Sequence, residues 1–227
     1  MYQQQSDNYT LRGFSFLPPV VKNLLIINVL FFLADVSLKT RGIDLTRWLG
    51  LHYVTAQDFY PWQFITYMFM HGNFSHLFFN MFALWMFGYA LENYWGSKRF
   101  LVYYLITGIG AALIQTGVLG LEIRSSIQGM PDFAAQHYID QIVTVGASGG
   151  VFGILLAFGM CFPNVPIFLY FFFPIKAKWF VIIYGAIELF AGIGGNADGV
   201  AHFAHLGGML FGLLLILYWK KHGSRIR

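Results

Sequence analysis

Charged side chains are scarce in this chain of 227 residues. Only 11% of them are Asp, Glu, Lys or Arg, whereas 57% are hydrophobic. Soluble domains carry roughly 25% charged residues, so this chain has too few to cover a solvated surface without large apolar patches. The composition excludes an ordinary soluble domain and predicts a protein of the lipid bilayer.

Cysteine is almost absent as well. The single Cys161 excludes an internal disulfide framework, and no Cys or His cluster has the spacing of a zinc finger. We therefore predict neither a metal nor a cofactor. The net charge of +4 needs no nucleic-acid partner, because basic residues beside membrane helices bind anionic lipid.

Six stretches are long and apolar enough to predict membrane helices, which need about 20 mostly apolar residues. They run over residues 19–38, 73–94, 100–119, 147–162, 179–192 and 200–219. These runs lack the strict alternation of a membrane β-barrel. We therefore predict an all-α membrane protein with one six-helix domain, 19–219, between a cytoplasmic segment 1–18 and a basic tail 220–227.

Basic residues predict the orientation of this bundle. With six spans both termini share one side, and that side holds ten of the 14 Lys and Arg residues. By the positive-inside rule both termini are cytoplasmic, and the loop 39–72, rich in aromatic residues, lies in the outer membrane interface. The polar start lacks a secretory or organelle-targeting pattern. We therefore expect a multi-pass protein of the plasma (inner) membrane that retains its first helix.

A Gly-x-Ser-x-Gly pattern opens the fourth predicted helix at residues 146–150 (GASGG). In a soluble hydrolase this pattern marks a nucleophile elbow followed by an acid and a histidine, and Asp198 and His205 follow in that order. In a membrane helix, glycines around a serine more often indicate close packing. The start of a helix nevertheless favours negative charge, so Ser148 is suitably placed beside an oxyanion.

Small residues recur every four positions in the fourth and sixth helices. They are Gly149 and Gly153 in the fourth, and Gly208 and Gly212 in the sixth. Such faces let two backbones approach closely, and Ser148 needs such an approach to reach His205 at about 2.6–3.2 Å. The alternative, a histidine that only packs and forms hydrogen bonds, stays open.

His76 and Asn80 lie four residues apart in the second helix and therefore share a face. Polar side chains inside a membrane are costly and usually functional. Donors that converge on a developing negative charge form an oxyanion hole, in which each is worth about 10²–10³ in rate. The alternative is a hydrogen-bond clamp between helices.

Taken together, the motifs resemble those of the rhomboid family of intramembrane serine proteases. The motifs are His76-x-x-x-Asn80, Gly146-Ala-Ser148-Gly149, Ala204-His205-Leu-Gly-Gly208-x-x-x-Gly212 and Gly88-x-x-x-Glu92-x-x-x-Gly96. The resemblance extends over about residues 19–219. It implies a serine endopeptidase that hydrolyses peptide bonds in or near transmembrane segments of membrane proteins.

The resemblance also implies roles for individual residues. Ser148 would be the nucleophile and His205 its general base and acid, with no acidic third member. The Ser148 backbone N–H and the side chains of His76 and Asn80 would form the oxyanion hole. Because no acid orients His205, we expect its ring to be held by packing, with Phe152 stacked on it.

Two further expectations follow from the resemblance. The cap and lateral gate would be the loop 192–200 and the fifth helix. In the first loop this chain has Trp62-Gln63 where many members have Trp-Arg, so the side chain there can form hydrogen bonds but carries no charge, and its effect on anchoring of the loop stays open. The physiological substrate and the oligomeric state stay open.

Two other classes of protein remain as alternatives. An inactive relative that only binds membrane proteins would have lost the serine or the histidine of the dyad, and both are present. A transporter is suggested by Glu188 and Asp35, which lie within apolar runs. A metal-binding bundle would use four histidines, His71, His76, His202 and His205. A metalloprotease is disfavoured, because the chain lacks His-Glu-x-x-His.

Overall fold

The computed structural model describes residues 15–169, 172–194 and 200–222. Within these ranges the chain is mainly helical. The helices are α1 Pro19–Lys39, α2 Leu45–Leu49, α3 Gln63–Thr66, α4 Phe74–Trp95, α5 Ser97–Ser126, α6 Asp132–Asp140, α7 Ser148–Cys161, α8 Ala177–Ile193 and α9 His202–Lys221. The strands are β1 Leu51–His52, β2 Val143–Thr144, β3 Pro166–Leu169 and β4 Phe173–Lys176. Asp198 and most of the predicted cap loop lie outside the described residues.

Each of the six predicted apolar stretches forms a helix, but the helices differ in length. Within the described part of the chain, α1, α4, α5 and α9 are long and apolar enough to cross a membrane. Helix α7 has 14 residues and α8 has 17. At 1.5 Å per residue α7 is about 21 Å long, whereas the hydrocarbon core is roughly 30 Å thick. By length and composition, four helices of the described residues qualify as spans, rather than the predicted six.

Glu92 joins three helices at one end of the bundle. Helix α1 starts with Pro19, which has no N–H, so the next amides are the first that need acceptors. The buried Glu92 carboxylate accepts from Val20 N at 2.9 Å and Val21 N at 2.8 Å. It also accepts from Ser97 Oγ, at 2.6 Å, at the start of α5. One carboxylate thus caps α1 and ties it to α4 and α5.

Two short antiparallel sheets correct the all-α prediction. β1 pairs with β2 in the register Leu51↔Thr144 and His52↔Val143, and β3 pairs with β4 as a hairpin. Strands of two to four residues show too little periodicity to be detected in a sequence. The first sheet matters for the site, because it fastens the loop 39–72 to the segment just before α7.

Gln63 connects backbone segments of the first loop through buried hydrogen bonds. Its side chain is fully buried. Nε2 donates to Asp58 O at 2.8 Å, and Oε1 accepts from His52 N at 3.2 Å. An arginine could donate but not accept, so the neutral amide fits this position for a physical reason. Trp48 and Trp62 of the same loop are half exposed.

Candidate active site

Ser148 is the first residue of α7, and Gly146 shapes the turn that precedes it. Gly146 has φ +130°, a conformation that side-chain-bearing residues rarely adopt. Its N–H donates to Tyr67 O at 3.0 Å, which ties the turn to the first loop. A Cβ at this position would lie 2.7 Å from His76 Nε2 and 3.6 Å from Ser148 Oγ. Because Gly146 has no side chain, the space between the Ser148 hydroxyl and the His76 imidazole stays open.

The predicted close contact between α7 and α9 is present at Gly149 and Gly208. A Cβ on Gly208 would overlap the carbonyl oxygen of Gly149. A Cβ on Gly149 would lie 3.7 Å from Ala204 O, in the residue just before His205. The two backbones thus meet within one residue of the proposed dyad.

The other two glycines have a different partner from the one that we predicted. Gly153 faces Thr107, and Gly212 faces Tyr103 and Thr107, both in α5. Tyr103 Oη also donates to Gly153 O at 2.8 Å. The nearest neighbours of these two glycines therefore belong to α5, and not to the opposite small-residue face that we predicted.

The imidazole of His205 has two well-defined contacts. Its ring stacks on Phe152 at a centroid distance of 4.0 Å and an interplanar angle of 6°, which confirms the predicted stack. Its Nδ1 lies 2.8 Å from Glu188 Oε2. The expectation that packing alone holds this ring was wrong, since α8 supplies an acid.

The same Glu188 oxygen also contacts His202, at 2.8 Å from its Nδ1. The potential metal-ligating atoms of Glu188, His202 and His205 lie within 4.8 Å of one another, close enough to hold a metal ion. This group differs from the four histidines considered as an alternative metal site from the sequence, where we predicted no metal. From the sequence, Glu188 was noticed only as an acid within an apolar run that suggested a transporter. Its two histidine partners were not predicted, although a buried acid needs a partner.

His71 lies at the edge of the site, just before α4. Its ring packs edge-on against His76, with centroids 5.1 Å apart. Burial, and to a smaller extent the neighbouring His76, lowers the pKa of His71 to about 3. His71 is therefore uncharged at neutral pH and contributes packing.

The first two turns of α4 contain His76 and Asn80, four residues apart. Asn73 caps this helix, and its Oδ1 accepts from His76 N at 2.8 Å. Asn80 Nδ2 donates to His76 O at 2.9 Å. An amide nitrogen carries two hydrogens, so Asn80 keeps a second N–H for another acceptor.

One cavity of about 1130 Å³ brings the predicted residues together. Ser148, His205, His76, Asn80 and Glu188 all line it. These side chains come from four helices, α4, α7, α8 and α9, which meet at this end of the bundle. The arrangement combines a hydroxyl, an imidazole with a carboxylate behind it, and additional hydrogen-bond donors.

Comparison with known proteins matches the sequence of this chain to a family. A model of the rhomboid domain matches residues 58–222, which contain every residue of the site. The chain belongs to the rhomboid family. With four helices suited to spanning a bilayer, this rhomboid is an integral membrane protein.

Three curated relatives show how far the similarity extends. Rhomboid-like protein 11, chloroplastic, of Arabidopsis thaliana is 32% identical over 88% of this chain and 65% of its own length. Rhomboid protease AarA of Providencia stuartii is 32% identical over 73% of this chain and 58% of its own length. Rhomboid protein 1, mitochondrial, of Saccharomyces cerevisiae is 32% identical over 67% of this chain and 40% of its own length. The chain thus spans less than two thirds of the length of each relative.

Proposed function

We propose that this rhomboid is an intramembrane serine endopeptidase with Ser148 as nucleophile and His205 as general base. The observation that carries the proposal is the convergence of Ser148, His205, His76 and Asn80 on one cavity. Relatives named as rhomboid proteases in Providencia stuartii and Bacillus subtilis support the same reaction class.

The reaction follows from the positions of these groups. His205 takes the proton of the Ser148 hydroxyl as its oxygen attacks the scissile carbonyl. The resulting oxyanion lies at the start of α7, where backbone N–H groups and the helix dipole favour negative charge. Side-chain N–H groups of His76 and Asn80 add to this stabilisation. His205 then protonates the leaving amine, and water hydrolyses the acyl enzyme.

The substrates that we propose are transmembrane segments of other membrane proteins. A helix with all amides bonded hides its carbonyl groups, so the segment must unwind locally to reach Ser148. We further propose that α7 and α8 complete six membrane helices and that the loop 39–72 lies in the outer interface. Its half-exposed Trp48 and Trp62 support this placement, because indole rings favour the membrane interface. The positive-inside rule supports cytoplasmic termini, and plasma-membrane location is part of the same proposal.

A fluorophosphonate probe tests the proposal on purified protein in detergent. We expect the probe to label the wild type and not Ser148→Ala. Ser75→Ala is the matched control, because Ser75 lines the same cavity but takes no part in the proposed mechanism, and it should be labelled normally. Absence of wild-type labelling, or equal labelling of Ser148→Ala, would contradict a serine protease and favour a membrane-protein binding module.

A further inference from the structure

A buried carboxylate lies behind the ring of the proposed base. Glu188, in α8, is only 5% exposed. Its Oε2 is 2.8 Å from Nδ1 of His205 and 2.8 Å from Nδ1 of His202, both in the first turn of α9. Since a carboxylate oxygen has two lone pairs, it can accept both N–H groups at once.

These contacts determine which nitrogen of His205 carries the hydrogen. An ionised carboxylate only accepts hydrogen bonds, so Nδ1 must be the N–H. In the neutral ring the lone pair is then on Nε2, which leaves that atom to take the serine proton. The stack on Phe152 fixes the plane of the ring. A stack cannot distinguish the ring from its flipped form, whereas the hydrogen bond to Glu188 can.

We infer that Glu188 is a positioning residue that holds His205 in this tautomer and stabilises the imidazolium formed during proton transfer. The inference rests on the proposed protease function. An opposite charge at hydrogen-bond distance favours the protonated ring, which is the state that the transition state approaches. Glu188 acts through His205, and His202 holds the same carboxylate from a second direction.

The test compares Glu188→Gln with wild type on a model transmembrane substrate. Glutamine keeps the size and one acceptor oxygen but removes the charge. We expect kcat to fall about 10- to 100-fold, with KM and the melting temperature nearly unchanged. A merely structural glutamate would instead change the melting temperature and leave kcat within about twofold, which would overturn the inference.

Two further variants sharpen the result. Glu188→Asp keeps the charge on a shorter side chain, so its kcat should lie between those of the wild type and Glu188→Gln. Equal activity of Glu188→Asp and Glu188→Gln at equal melting temperature would overturn a role for the charge. Glu92→Gln is the matched control, since it removes a buried carboxylate that contacts no histidine among the described residues, and it should retain kcat.

Metal analysis and a chelator separate this inference from a metal site. Stoichiometric zinc in the purified wild type, with cleavage altered by its removal, would show that Glu188, His202 and His205 bind metal, and would overturn the inference. Unchanged cleavage after chelation supports it. A wild type that neither cleaves substrate nor reacts with the probe would overturn the proposed function itself. An active wild type with an equally active Glu188→Gln would overturn only the role of Glu188.

Discussion

Two buried glutamates occupy opposite ends of this helical bundle and have different kinds of partners. Glu92 accepts from two backbone amides of α1 and from the hydroxyl of Ser97. Glu188 accepts from two imidazoles. Helix α9 runs from one end to the other. Its first turn lines the cavity near Glu188, and Trp219 near its last residue packs against Trp95, close to Glu92.

The two carboxylates differ in whether their hydrogen-bond partners can take up or release a proton. Burying a charge is costly, and in both cases hydrogen bonds offset that cost. The partners of Glu92 neither gain nor lose a proton near neutral pH, so this contact can only hold helices together. The partners of Glu188 are imidazoles, whose ring nitrogens can take up and release a proton during a reaction. The same residue type therefore caps helices at one end, and in the proposed mechanism it supports proton transfer at the other.

Replacing His205 should have the largest effect at the cavity end. His205→Ala removes the base, so we expect cleavage of a transmembrane substrate to fall by at least about 10³-fold. Its thermal unfolding should remain cooperative, because Gly208 still maintains the contact between α7 and α9. Turnover close to that of the wild type would remove His205 from the mechanism.

Replacing Asn80 should have a smaller effect, because the oxyanion has other donors. We expect Asn80→Ala to slow cleavage about 10- to 100-fold without abolishing it. Asn28→Ala is a matched control: Asn28 Nδ2 donates to Leu24 O at 2.8 Å, the same hydrogen bond within a helix, but it does not line the cavity. An unchanged rate for Asn80→Ala, or an equal loss for Asn28→Ala, would argue against a specific role for Asn80.

Replacing Glu92 should leave catalysis nearly untouched. We expect Glu92→Gln to keep kcat within about twofold while it lowers the free energy of unfolding by about 1–3 kcal/mol, since it weakens the cap of α1. Thermal unfolding in detergent and cleavage assays on the same preparation measure both quantities. A loss of kcat comparable to that of Glu188→Gln would remove the distinction between the two glutamates.

Helix boundaries were predicted well where a sharp local signal marks them. Helix α4 begins one residue after the predicted start, because Asn73 caps it. Helix α5 was predicted over 100–119 but extends over Ser97–Ser126. Its last turns are polar, so hydropathy alone ended the prediction early, whereas the helix continues to Ser126.

The sequence by itself determined the local relationships of the site. Spacing alone places His76 and Asn80 on one face, and the glycines beside Ser148 place its hydroxyl at a helix start. The tertiary structure decided which groups meet across helices: Glu188 with His205, and α5 with Gly153 and Gly212. The physical reason is that such contacts depend on the rotation and crossing of separate helices, which the periodicity within one helix does not specify.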